Sequence, residues 1–188
     1  GSKRLLLLSA LLDLPEVTTQ VKLLDETIAD LRHLPQSASD IRDSLPPYSS
    51  WIPQIIDQQD RLLTLLSEQY ARQPAISEMQ QELHGLSQDV GRLSVAYQLD
   101  AFTYLVAQQW MLDREAVIKL DASILQRFSD LSAREPALSV TLGKMLGRYN
   151  FVRGYLLKPD KGWAPSAVER YLMSVANDID NTASTLKP

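Results

Sequence analysis

In Ile76-Ser77-Glu78-Met79-Gln80-Gln81-Glu82-Leu83-His84-Gly85-Leu86-Ser87-Gln88-Asp89-Val90-Gly91-Arg92-Leu93-Ser94-Val95-Ala96-Tyr97, the apolar residues Ile76, Met79, Leu83, Leu86, Val90, Leu93 and Tyr97 follow one another at steps of three and four. That spacing keeps them on one face of an α-helix and predicts a seam packed against neighbouring helices at small crossing angles. The same rhythm recurs on both sides. Val17, Val21, Leu24, Ile28 and Leu31 carry it near the start. Leu138, Leu142, Met145, Tyr149, Val152 and Leu156 carry it later, and Val168, Tyr171 or Leu172, Val175, Ile179 and Leu186 carry it at the end. No stretch alternates with the period of a strand. The expectation is an all-α fold, an elongated antiparallel helical bundle forming a single domain over residues 3–188.

Proline sets the expected boundaries, because its ring removes a backbone donor and favours the first turn of a helix. Helices are expected at about 16–45, 51–72, 75–132, 136–157 and 165–186. Pro35 ends or kinks the first. Leu45-Pro46-Pro47-Tyr48-Ser49-Ser50 reads as a loop, with Ser50 capping the next helix ahead of Pro53. No proline falls between Pro74 and Pro136. The third helix would therefore exceed 55 residues and reach about 85 Å, giving one very long central helix beside a four-helix section. The stripe changes phase near Trp110–Arg114, where a bend or π-bulge is expected. The N-terminal segments either lie end to end as a rod or fold back as a hairpin.

Composition narrows the chemistry. The 188 residues include no cysteine, two histidines, seven glycines and ten prolines. Disulfides, thiolate metal sites and cysteine nucleophiles are excluded. His33 and His84 stand on different predicted helices without an acidic partner pattern, so no metal site or cofactor is expected. No phosphate-binding, nucleophile-elbow or zincin motif occurs, and no catalytic residue is assigned. Nineteen basic residues are dispersed among 23 acidic ones for a net charge of −4, which leaves no cationic footprint for nucleic acid. The apolar run Leu5–Leu12 is too short to span a bilayer.

Candidate binding residues come from polar groups on or beside the seam. Extending the three–four steps past Tyr97 reaches Asp100, Tyr104, Ala107 and Met111, so Asp100 is expected at a helix interface. There it pairs with an arginine or forms a pocket wall, unless the stripe has drifted and leaves the acid exposed. Arg148 and Arg153 flank Tyr149 and Val152, near Phe151 and Tyr155. They either lay their stems over the core or grip an anion bidentately. Trp110 stands where the stripe shifts, a place for a cavity. The candidate ligand-binding set is Arg148, Arg153, Tyr104, Trp110 and Asp100.

Val152-Arg153-Gly154-Tyr155-Leu156-Leu157 resembles the Arg-Gly-Tyr-Leu-Leu stretch of helical extracytoplasmic sensor domains of bacterial receptors, the CHASE3 type among them. Here it lies near the C-terminus and is followed by Lys158-Pro159. The resemblance implies a periplasmic ligand-sensing domain of a chemoreceptor or sensor histidine kinase of the inner membrane. Such a domain is a homodimer between transmembrane helices that binds a small molecule or a periplasmic binding protein. The start at Gly1-Ser2, read as a tag remnant, and the stop at Lys187-Pro188 fit a piece cut from between two such helices. The competing expectation is a structural or adaptor bundle, cytoplasmic if no membrane flanks it. It would dock a protein on an exposed apolar face such as Leu62, Leu63, Leu65 and Leu66.

Overall fold

A computed structural model describes residues 13–31, 41–72, 76–100, 112–157 and 164–186, with backbone alone at 31, 41–52 and 71. Six α-helices account for nearly all of them: α1 (Pro15–Leu31), α2 (Ile41–Ala71), α3 (Glu78–Asp100), α4 (Arg114–Arg134), α5 (Ser139–Leu157) and α6 (Pro165–Thr185). A 3-10 turn, Pro136–Leu138, leads into α5. The fold is an all-α helical bundle. Residues 3–188 read from the sequence as one domain, and the described residues gather into two compact units, one within 13–72 and one within 76–100 and 112–186. None of the described helices is long and apolar enough to cross a membrane.

In the first unit, α1 and α2 pack together. Pro15 opens α1, preceded by Asp13 at φ 52°, a left-handed conformation that aspartate tolerates better than most residues. Val17 and Val21 are buried with Leu62 of α2, and Leu14, Leu24, Leu65 and Leu66 close around them. Gln20 Nε2 donates to the Gln58 carbonyl at 3.2 Å, a polar tie across the same interface. Further along α1 the buried position is Thr27, whereas Ile28 is exposed. The step there is three and not four. The side chain of Leu31 lies outside the described residues.

The stretch read as a loop at 45–50 is helical, since α2 runs unbroken from Ile41 to Ala71. Proline's fixed φ of about −65° is itself helical. Pro46, Pro47 and Pro53 each remove a backbone donor, and the residues on both sides of them are helical.

The second unit is a four-helix bundle in which each helix runs antiparallel to its neighbours. Arg134 pairs with Glu78 and Glu82, and Arg127 with Asp89, so the end of α4 lies beside the start of α3. Arg153 of α5 meets Asp121 of α4. Arg148 of α5 meets Asp178 of α6. Gln80 at the start of α3 reaches Ala183 and Leu186 at the end of α6. The interior is the predicted seam: Leu83, Leu86, Val90 and Leu93 of α3 pack with Ile124, Phe128 and Leu131 of α4, with Leu142, Met145, Tyr149, Val152 and Leu156 of α5, and with Val168, Leu172, Val175 and Ile179 of α6. Burying one such side chain fully stabilises by roughly 1.5–3 kcal/mol.

The expected very long central helix over 75–132 is not formed. α3 ends at Asp100, and a new helix starts at Arg114. Asp113 takes an extended conformation, φ −64° and ψ 165°, and its side chain accepts from the Ala116 N–H at 2.7 Å. This is an N-cap, which supplies an acceptor to a helix start that otherwise has none. Arg114 begins a separate helix that runs back alongside α3 and does not continue it. Reversal is favoured because it brings the two half-seams together, and a single straight helix would leave them facing different parts of space. The start of α3 is also later than expected. Ser77 and Gln80 form a capping box: the Gln80 N–H donates to Ser77 Oγ at 3.2 Å, and the Ser77 N–H donates to Gln80 Oε1 at 2.9 Å.

Candidate functional site

The antiparallel order brings the C-terminal ends of α3 and α5 to the same end of the second unit as the N-terminal end of α4. A cleft of about 370 Å³ opens there, within the size range of small-ligand sites. Leu93 and Leu156 are its buried floor. Ala96, Tyr97, Val117, Tyr155 and Leu157 form half-buried walls, and Leu112 and Ile118 complete the apolar lining. Its charged residues are Asp100 and Arg114, both exposed. Arg114 Nη2 donates to the Leu157 carbonyl at 2.6 Å, which ties the start of α4 to the end of α5. Tyr97 Oη accepts the Ala164 N–H at 3.0 Å and so also holds the entry to α6.

Of the five residues proposed from sequence as ligand contacts, Asp100 lines this cleft. It is exposed and not held at a helix interface, because the buried stripe of α3 has drifted round by that turn. Tyr104 and Trp110 lie outside the described residues. Arg148 and Arg153 do not line the cleft. Arg148 donates through Nη1 to Ser174 Oγ at 2.8 Å and through Nη2 to Asp178, a clasp between α5 and α6. Phe151, expected beside the pocket, is 65% exposed and stacks on Tyr171 at 4.8 Å between ring centroids, with Arg170 over the Tyr171 ring.

Arg153 belongs to a different constellation. Its Nε lies 2.8 Å from Asp121 Oδ1 and its Nη2 lies 2.8 Å from Oδ2, a bidentate grip. Tyr149 Oη donates to the same Oδ1 at 2.7 Å. Asp121 is 2% exposed and Tyr149 fully buried, so this is a charge inside the core with three donors around it. Burial, together with the hydrogen bond to Asp121 and its charge, keeps the Tyr149 hydroxyl protonated far above the usual tyrosine range; the Arg153 charge opposes this. The bond to Asp121 raises the guanidinium pKa of Arg153 as well. Nothing about the set resembles a catalytic dyad, because no acid–base or nucleophilic group faces open space. Its geometry joins α4 to α5.

Tyr155, read from sequence as a ring near the arginines, lines the cleft, whereas Asp121 and Arg114 were not assigned from sequence. A signal for Asp121 was present: Val117, Asp121, Ile124, Phe128 and Leu131 step four, three, four and three, the same rhythm as the neighbouring seams. Leu120, next to it, offers an apolar residue that also fits the three–four steps, which masks the acid in the pattern. Among the described residues, no group of three or more histidine, aspartate or glutamate side chains is placed to hold a metal ion. No protein-family model, curated protein or solved structure matches the chain.

Proposed function

We propose that the chain is the ligand-sensing extracytoplasmic domain of a bacterial transmembrane signalling receptor, in which a small molecule held in the cleft shifts helix ends against one another. The observation that carries this reading is the cleft's position. It is walled by α3, α4 and α5 at one end of the bundle, so an occupant touches the ends of three helices at once. Bundles respond to such contacts because two packings of the same helices differ by only a few kcal/mol. The residues Tyr155, Leu156 and Leu157, which carry the resemblance to receptor sensor domains, are all part of the cleft wall. A periplasmic location between membrane helices and homodimer formation belong to the same proposal.

The experiment is a thermal-melt screen of the chain against small anions, amines, zwitterions and apolar compounds. Positive compounds are then followed by spin-label distances between the ends of α3 and α5. A ligand at 100 times its Kd adds about 2.7 kcal/mol to stability, and a receptor domain adds a distance change to that gain. Melts unmoved by every compound would defeat the reading.

The adaptor reading is favoured by one observation, the exposed Phe151 of α5, which lies on the half-buried Tyr171 of α6. Its other support is reduced. Leu62 is buried, and Leu65 and Leu66 pack against the core of the first unit.

A further inference from the structure

Asp100 and Arg114 are placed against their own helices. Asp100 is the last residue of α3, and Arg114 is the first of α4. A helix macrodipole disfavours an acid at its C-terminal end and a base at its N-terminal end. Neither residue enters an ion pair among the described residues, and although both line one cleft they do not pair with each other. The other charged side chains that tie the helices of this unit together pair with opposite charges, as Arg153 does with Asp121 and Arg148 with Asp178. Arg114 uses Nη2 on the Leu157 carbonyl, and a guanidinium has five N–H donors.

We infer that the cleft takes a small zwitterion with an apolar body, its carboxylate on Arg114 and its ammonium on Asp100. This rests on the small-ligand reading above and names the ligand's chemical class. The apolar body lies over Leu93 and Leu156, between Tyr97 and Tyr155. A planar guanidinium suits a carboxylate, because two parallel N–H groups meet two oxygens. An exposed carboxylate supplies acceptors alone at neutral pH, which matches an ammonium with three donors. Opposite charges that line one apolar cleft without pairing select for both charges on one molecule. An amine or an acid alone leaves one cleft charge without a counterpart.

The test is calorimetric titration of the intact chain with L-phenylalanine and L-leucine, and with 3-phenylpropionate and phenethylamine, which each keep the ring and one charge. At least one zwitterion is expected to bind at least about tenfold more tightly than either singly charged probe, the size of one charge-assisted hydrogen bond. Arg114→Gln, which removes the charge and keeps a polar amide, and Asp100→Asn each reduce zwitterion binding by a similar factor. Asp100→Asn does not weaken 3-phenylpropionate binding, because that probe has no ammonium and loses a like charge in the cleft. Circular dichroism melts confirm that both variants are folded, and both positions are at the surface. Equal binding of a singly charged probe overturns the zwitterion and leaves the small-ligand reading standing. So does zwitterion binding that neither variant weakens. If none of the four probes binds, the zwitterion assignment is overturned, and the broader melt screen decides separately whether the small-ligand reading falls with it.

Discussion

Tyr149 and Arg153, one helical turn apart on α5, converge on the single carboxylate of Asp121 from α4, with Tyr149 Oη and Arg153 Nε at 2.7 and 2.8 Å from the same oxygen. The spacing of four puts both donors on one face of the helix. The buried acid is thereby satisfied without water. Removing a partner from a buried ion pair costs far more than the pair itself contributes, because the remaining charge is stranded.

Arg153→Met is therefore expected to destabilise the second unit by about 3 kcal/mol, the low end of the range for a broken buried pair, since Arg153 is partly exposed. Asp121→Leu combined with Arg153→Met is expected to recover much of that loss, because the two apolar side chains extend the seam. Urea unfolding of the two single variants and the double variant measures the coupling. Additive losses would show that the pair is not coupled.

Tyr149 gives a pH signature. Its folded pKa is raised above the ordinary tyrosine value near 10. Above pH 10 the unfolded chain releases this proton while the folded protein retains it. The stability this group contributes is therefore fully present below pH 10 and is lost as pH rises beyond it, by up to about 1.4 kcal/mol per pH unit. Tyr149→Phe is less stable at neutral pH, having lost a hydrogen bond to a buried charge, but its alkaline decline is shallower. Unfolding midpoints from pH 8 to 11 test this, and parallel curves for the two proteins would contradict it.

The helical seams were legible because burial is periodic and α3, α5 and α6 hold their phase. Leu83, Leu86, Val90, Leu93, Tyr149, Val152, Val175 and Ile179 stand in the core as the spacing requires. The chain reversal was not legible, because an aspartate in a proline-free stretch looks the same as a solvated helix residue until its backbone turns extended at Asp113. Proline misled in the other direction at Pro46 and Pro47, where local preference suggested a loop and the chain is helical. The arginines were placed on the right face of α5, but which carboxylates they meet depends on helix pairing. A periodic pattern within one helix does not contain that information. The cleft is further removed still, since it arises from three helix ends that are distant in the chain.

Asp113 can be tested as the residue that starts α4. Asp113→Ala removes the acceptor for the Ala116 N–H and is expected to cost about 1 kcal/mol. Asp113→Asn or Asp113→Ser should restore most of it, as both cap helices well. Chemical denaturation of the three variants checks the order. Equal loss in all three would mean that the charge, and not the cap, matters.

Gly85 and Gly91 sit on α3 in ordinary helical surroundings, where alanine gains about 1 kcal/mol over glycine. Around Gly91 nothing lies within 4 Å of an added Cβ, so Gly91→Ala is expected to realise most of that gain. At Gly85 the added carbon meets Arg127 Nη1 at 2.6 Å. The obstacle is the end of a flexible side chain, and moving it loosens the 3.4 Å contact of Arg127 with Asp89. At 3.4 Å, with Arg127 43% exposed, this loose ion pair contributes about 1 kcal/mol, so the two effects nearly cancel. Gly85→Ala should leave the unfolding midpoint close to the parent, while the same change in an Arg127→Ala background should raise it as far as Gly91→Ala does in the parent. A large loss in Gly85→Ala that Arg127→Ala fails to relieve would place the conflict in the α3–α4 backbone approach and not in the arginine.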